Sequence, residues 1–281
     1  MKHCGKKTGI LALIFLLSLL MCGCQSVSPN ENSIMKISFL KVGRADAIII
    51  EKDKEVMVID TGEEDDGEEI VDFIQKENIE KIDYLIITHF DSDHIGGADT
   101  LLENVEVTQI ILPDYESDNL EYLDFMKAVK EKDYTPVLLH EDHEFNFSDC
   151  KVLINPPDSY IYDGSVDYDN NLSLIVSIEY GNHSFLFTGD AEKQRLNEWL
   201  NKDLGEFTFI KIPHHGVYNS VLKKLLEKTG ALYAVICDSK KNPADKQTLK
   251  LLDKYHVMTW ETKDGNITLT SDGARIEISQ R

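Results

Sequence analysis

The chain has 281 residues, with 50 Asp and Glu against 29 Lys and Arg, giving a formal net charge of −21 at pH 7 and a pI near 4.7. Such a surface repels polyanions at long range, so composition excludes a protein that coats nucleic acid non-specifically, which needs Lys and Arg against the phosphates. A phosphoester substrate stays open wherever bound metal ions reverse the local potential.

The first 23 residues read as a targeting segment. Lys2, Lys6 and Lys7 form a basic start, and Ile10–Met21 is an apolar run shorter than the roughly 20 residues of a comfortable membrane span. The run ends Met21-Cys22-Gly23-Cys24, where a small residue directly before a cysteine resembles a bacterial lipobox. The expectation is a lipoprotein signal peptide over 1–23, with Cys24 as the lipidated first residue of an exported protein anchored to the outer face of the cell membrane. Cleavage before Cys22 and a retained membrane anchor are the alternatives. Residues 24–33 have linker composition, and 34–281 form one domain large enough for a sizeable core. Cys150 and Cys237 lack CxxC spacing; each suits a small buried hydrophobe, and a disulfide between them stays open.

Met35–Val42 alternates as a strand, turns at Gly43-Arg44-Ala45-Asp46, and returns over Ala47–Ile50. Val56–Gly62 is a third strand, ending Asp60-Thr61-Gly62. Glu63–Glu69 reads as a solvated acidic loop, after which Ile70, Phe73 and Ile74 mark one helical face. Ile82–Ile87 is short, apolar and β-branched, a buried strand feeding Thr88-His89-Phe90-Asp91-Ser92-Asp93-His94-Ile95-Gly96-Gly97. The two glycines allow a tight turn into a short helix over Ala98–Glu103. His89, Asp91, Asp93 and His94 thus sit at the C-terminal end of a strand, where α/β folds place their chemistry. Four such groups within six residues cannot all be buried unpaired, and imidazole and carboxylate are the usual ligands of zinc and similar ions. Their spacing is too crowded for one tetrahedral ion and implies two.

Farther on, Val107–Leu112 is a strand closed by Pro113, and Leu120–Lys132 a helix with Leu120, Leu123 and Met126 at spacing three. Pro136–His140 is a strand; His140 and His143 form a His-x-x-His pair that could bind metal, but they fall in a polar loop and read as solvated groups. Asp169-Asn170-Asn171-Leu172-Ser173 leads into a strand over Leu174–Ile178. Ser184–Glu192 contains a strand ending Thr188-Gly189-Asp190, and a helix covers Ala191–Leu200. Phe207–Ile212 is a strand ending Pro213-His214-His215-Gly216. A helix over Val221–Lys228, a strand over Leu232–Cys237, a helix over Thr248–Tyr255 and three closing strands complete the chain.

Asp60-Thr61-Gly62, His89-x-Asp91-x-Asp93-His94, Thr188-Gly189-Asp190 and Pro213-His214-His215-Gly216, in that order, resemble the metallo-β-lactamase fold hydrolases. Asp91 stands where many members have a second His. This variant is similar to the extracytoplasmic hydrolase domain of competence DNA-uptake channels and to bacterial phosphorylcholine esterases. The resemblance implies an α/β fold, the four-layer αβ/βα sandwich, with a dinuclear zinc-type centre in the cleft between two sheets and manganese as a possible substitute. It implies His89, Asp91, Asp93 and His94 as ligands, Asp190 as the carboxylate shared by both ions, and Asp60 as a supporting hydrogen-bonding residue. One of His214 and His215 is expected to bind metal and the other to move a proton, with Asp93 a further proton-steering group.

Asn170, Asn171 and Ser173 occupy the place of a third histidine; they either hydrogen-bond a ligand oxygen or form an Asx-turn. Two departures stand out: Val217 replaces a Ser, and the segment Asp238–Asp245 lacks a late histidine. Asp245 is either its substitute ligand or the cap of the helix that follows. The implied function is metal-assisted hydrolysis of a phosphate ester, in nucleic acid or in a cell-envelope phosphodiester. The alternative is a lipoprotein with a decayed site that binds a partner, although no protein partner is indicated.

Overall fold

The computed structural model describes residues 34–160, 168–202 and 205–281, together with Met1. The expected signal segment beyond Met1 and the linker lie outside the described residues. The chain runs β1 (Met35–Phe39), β2 (Ala47–Lys52), β3 (Glu55–Thr61), α1 (Gly67–Lys76), β4 (Lys81–Ile86), α2 (Ser92–Ile95), α3 (Ala98–Asn104), β5 (Glu106–Pro113), α4 (Leu120–Glu131) and β6 (Val137–Leu139). It continues through β7 (His143–Phe147), β8 (Cys150–Asn155), β9 (Ile175–Tyr180), β10 (His183–Phe187), α5 (Lys193–Leu200), β11 (Phe209–Lys211), α6 (Leu222–Thr229) and β12 (Tyr233–Ile236). It closes with α7 (Lys246–Lys254), β13 (Met258–Glu261), β14 (Ile267–Ser271) and β15 (Ile276–Gln280).

Two sheets result, ordered β15-β14-β1-β2-β3-β4-β5-β6 and β13-β12-β11-β10-β9-β8-β7. Period-two alternation explains why they stack. In β3, Met57 and Ile59 face the space between the sheets, while Val56 and Val58 face α1, α3 and α4. In β10, Phe185 and Phe187 face inward and Leu186 packs toward α5, α6 and α7. Phe39, Phe187 and Phe209 cluster between the sheets, with Phe39 and Phe209 ring centroids 5.6 Å apart; each buried ring contributes roughly 1.5–3 kcal/mol. The outcome is helices, sheet, sheet, helices: the expected four-layer αβ/βα sandwich. β3 pairs parallel with β4, and β10, β11 and β12 are parallel to one another. The loops that leave the C-terminal ends of these strands carry the candidate site residues.

Three local expectations are corrected. Leu120 and Leu123 do not form the buried face of α4: they are 72% and 50% exposed, and Tyr122, Phe125, Ala128 and Val129 are buried instead. Spacing three drifts round a 3.6-residue helix, and the bulkier aromatic stripe holds the core. His143 is not in a loop; it opens the hairpin β7–β8, whose alternating Phe145, Phe147, Val152 and Ile154 pack against the inner core. Pro113 ends β5 from within the strand. Cys150 and Cys237 are buried free thiols.

The acidic run is only partly loop, because α1 begins at Gly67. Asp66 Oδ2 accepts the Glu63 N–H at 2.9 Å, and burial, with the charges of Glu69, Glu63 and Asp65, pushes this carboxyl up to about 6. A carboxyl whose folded pKa exceeds its unfolded value binds more protons in the native state, so stability falls as pH rises from about 4 through 6. Asp66→Asn is therefore expected to raise the melting temperature at pH 7.5 by about 2 °C, after discounting for solvent screening of a half-exposed group. The gain should shrink toward pH 4 in thermal melts at the two pH values.

Candidate metal centre

The loop after β4 is fixed by close backbone approaches. A side chain on Gly96 would run into the Glu63–Glu64 backbone, and one on Gly97 into the Thr61 carbonyl. Thr61 Oγ1 also donates to the His94 carbonyl at 3.0 Å. Asp60, at the end of β3 with φ 59°, accepts from the Thr88 N–H at 2.7 Å and the Thr88 hydroxyl at 2.8 Å. Its second oxygen also lies 2.8 Å from His94 Nδ1. Asp60 thus orients a ligand without facing the cluster, the usual partner of a metal-binding imidazole.

Ligand atoms of Asp93, His94, Asp190 and His215 all lie within 4.8 Å of one another. Asp190 follows β10, and its Oδ1 is 3.2 Å from His94 Nε2 and its Oδ2 3.0 Å from His215 Nε2. His215 Nε2 is also 3.1 Å from Asp93 Oδ2, while its Nδ1 donates to the Cys237 carbonyl at 2.8 Å. Each histidine therefore anchors one nitrogen and turns the other toward the two carboxylates. Both His214 and His215 have positive φ, 47° and 50°, a left-handed conformation costly for non-glycine residues and common at functional sites.

Protonation shows what this cluster lacks. Burial alone would push the Asp93 and Asp190 carboxyls up, but His215 and His94, joined by Lys211 at Asp190, hold both below the carboxylate range. Burial alone would lower His215, yet Asp190 and Asp93 hold it up at about 9; Asp190 and Asp60 raise His94 in the same way. The carboxylates demand positive charge, which protons supply here and a divalent ion would supply in their place. His89 Nε2 and His94 Nε2 are buried without a hydrogen-bond partner among the described residues, Asp190 Oδ1 lying near His94 outside hydrogen-bond geometry. The donor set fits a divalent metal.

A second set is poorer. His89 Nε2 lies 3.5 Å from Asp91 Oδ2, and its ring centroid is 4.1 Å from that of His94. At the place of a third histidine, Asn171 Oδ1 accepts the Arg195 N–H at 3.1 Å, and Ser173 Oγ accepts the Asp190 N–H at 3.3 Å. These residues form a short 3₁₀ turn that holds Asp190 from behind, while Asn170 Oδ1 is buried without a hydrogen-bond partner.

The two adjacent histidines separate. His215 joins the cluster; His214 instead places Nδ1 2.5 Å from Glu192 Oε1 and Nε2 3.9 Å from Asp190 Oδ2, with its side chain 21% exposed. Asp245 lies outside the four-residue cluster: its exposed carboxylate accepts the Tyr218 N–H at 2.9 Å. It holds the N-cap position of α7 but makes no side-chain cap hydrogen bond, because its carboxylate turns to the neighbouring loop. His140 is exposed and pairs with Asp114 at 3.0 Å.

Three residues received no site role from the sequence: Glu192, Lys211, and Asp46 of the turn Gly43-Arg44-Ala45-Asp46-Ala47. Lys211 Nζ is buried, 2.5 Å from Asp46 Oδ2 and 3.3 Å from Asp190 Oδ1. Burial would lower this ammonium, but Asp46 and Asp190 outweigh it and hold it above the ordinary lysine value. A lysine inside the apolar run Phe207–Ile212 was the available signal.

Residues 40–237 match the family model described as the metallo-beta-lactamase superfamily. Recombination protein 2 of Haemophilus influenzae is 25% identical over 254 residues, 87% of this chain and 30% of that protein. ComE operon protein 3 of Bacillus subtilis is 26% identical over 208 residues, 72% of this chain and 26% of that protein. The chain thus spans less than a third of the length of either relative. Among solved structures, Tm1679, described as a metal-dependent hydrolase of the beta-lactamase superfamily, superposes with a TM-score of 0.56 at 13% identity, over 81% of this chain and 95% of that one. The family match spans the loop after β4, Asp190 and the paired histidines, and the fold and the ligand cluster agree with it: this chain belongs to the metallo-β-lactamase superfamily.

Proposed function

We propose that this protein is an exported, lipid-anchored, metal-dependent hydrolase of phosphate esters. The observation that carries the reading is the convergence of Asp93, His94, Asp190 and His215 on one cluster, with the Glu192–His214 pair beside the same carboxylate. Bound zinc, or manganese, in one or two sites would polarise the ester and stabilise the charge developing on its oxygens. His94 and His215 are locked for that task by Asp60 and the Cys237 carbonyl. Glu192 orients His214, whose Nε2 lies 3.9 Å from Asp190 Oδ2 and can hand a proton to the leaving oxygen. A groove of about 590 Å³, lined by Arg44, Glu63, Asp93 and Asn242 among others, opens beside Asp93 and offers a substrate path. The larger cavity, about 630 Å³ and lined by β7–β10 residues including Phe145 and Glu179, holds no candidate ligand. Similarity to Recombination protein 2 makes nucleic acid one substrate class to test and a cell-envelope phosphodiester the other.

The test is metal analysis of purified protein together with a panel of bis(p-nitrophenyl) phosphate, single-stranded DNA and phosphodiester headgroups. Turnover that a chelator abolishes and zinc or manganese restores is expected, with His214→Ala lower by about 10²–10⁴-fold. A fully metallated protein inert on every phosphodiester sinks the phosphoester reading and favours the decayed-site alternative. For the anchor, Cys24→Ala is expected to release the protein from membranes or block its maturation; unchanged processing and membrane association, followed by fractionation, reject Cys24.

A further inference from the structure

A buried ion pair lies directly behind the candidate ligands. Lys211 and Asp46 are 0% and 1% exposed, with 2.5 Å between Nζ and Oδ2. The ammonium also donates to the Gly189 carbonyl at 3.0 Å and stands 3.3 Å from Asp190 Oδ1. Asp46 reaches the backs of both histidines: Oδ1 is 3.6 Å from His215 Nδ1, and Oδ2 is 4.0 Å from His94 Nδ1. The Asp46 N–H is bonded to the Asp93 carbonyl at 3.1 Å, which ties the pair to the fourth member of the cluster. One positive and one negative charge therefore contact three of the four residues between them, the backbone of Asp46 holds the fourth, and the cluster of four includes neither.

Stability does not explain the pair. Removing two charges from water costs several kcal/mol per ion, and apolar replacements of buried pairs are often neutral or better. Asp46 Oδ1 also lacks a hydrogen-bond partner among the described residues, so the pair is not even fully satisfied. Its location does explain it. Low-dielectric surroundings let both charges act strongly on a cation held by Asp190 and the two histidines, and with opposite sign. Lys211 repels such a cation and neutralises Asp190 when none is bound; Asp46 attracts it.

We propose that Lys211 and Asp46 are positioning residues that set the metal affinity of this centre, Lys211 acting as a built-in cation that steadies the empty cluster and keeps a bound ion exchangeable. This rests on the metal-centre reading above. The experiment is a chelator-competition measurement of Zn²⁺ and Mn²⁺ dissociation constants on the wild-type chain, Lys211→Met, Asp46→Asn and the double variant, with thermal melts of each metal-free protein. Lys211→Met is expected to bind metal about 10-fold tighter or more while its metal-free form melts lower. Asp46→Asn should bind about 10–100-fold weaker, the range seen when outer partners of metal ligands are removed. The double variant should return to within about 10-fold of wild type, weaker than Lys211→Met and tighter than Asp46→Asn, since the two opposing charges leave together.

A merely structural role would weaken binding in both single variants and further in the double, and that pattern overturns the proposal. Should Lys211→Met fold only with metal, its release rate to excess chelator decides: slower than wild type supports the proposal, faster rejects it. A wild-type protein that binds neither ion overturns the underlying metal-centre reading instead, so the two failures are distinguishable.

Discussion

Replacing Asp190 with Ala is expected to strip the centre of metal while leaving the protein folded. Both carboxylate oxygens face candidate partners, Oδ1 toward His94 Nε2 at 3.2 Å and Oδ2 toward His215 Nε2 at 3.0 Å. His214 Nε2 approaches the same Oδ2 at 3.9 Å. Losing this residue removes the carboxylate that faces the Nε2 atoms of both histidines, so the effect should exceed that of losing an outer partner: about 100-fold or more in metal affinity, with hydrolysis falling alongside. The fold should survive because Lys211 keeps Asp46 and the Gly189 carbonyl as partners. Metal content after dialysis and a circular-dichroism melt check both halves. Full metal occupancy in the variant would show that Asp190 is not the shared ligand.

The largest loss of stability is expected at Arg195. This side chain is fully buried, yet its Nε donates to the Ser173 carbonyl at 2.9 Å and its Nη2 to the Asn155 carbonyl at 2.6 Å and side-chain Oδ1 at 2.8 Å. Burial lowers the guanidinium to about 10, which leaves it charged at neutral pH. Arg195→Ala opens a cavity and leaves these acceptors unpaired, costing about 3–5 kcal/mol and lowering the melting temperature by about 6–20 °C. Arg195→Lys should recover only part of this, because an ammonium cannot reproduce the planar fork. Metal affinity should fall too, since the Arg195 Nε holds the carbonyl of Ser173, whose hydroxyl accepts the Asp190 N–H. A melting temperature within about 2 °C of wild type for Arg195→Ala would reject the role.

Some of the centre was legible because its chemistry is local. His89, Asp91, Asp93 and His94 lie within six residues after a single apolar strand, and short apolar runs ending in Asp, Gly or His marked the strands that carry the site loops. The hairpin β7–β8 was equally patterned through Phe145, Phe147, Val152 and Ile154, but the charged residues around His140 and His143 disguised its start. On α4, equal spacing of leucines pointed to the wrong face, because burial there follows Tyr122 and Phe125.

By itself, the sequence determined the strand ends that carry chemistry and the types of ligand available, because turn glycines and contiguous motifs are properties of short stretches, and the sandwich followed from the resemblance that those motifs carry. Tertiary structure alone decided how those groups divide the work. His214 and His215 are neighbours in the chain, yet two successive left-handed residues send one ring to Glu192 and the other to Asp190. Asp245 is a carboxylate near the expected gap, yet the Tyr218 amide claims it. Lys211 and Asp46 meet only when the two sheets stack, each in a sequence that reads as an ordinary strand or turn. Charges far apart in the chain acquire roles only through burial beside one another, where low dielectric makes their separation and sign decisive.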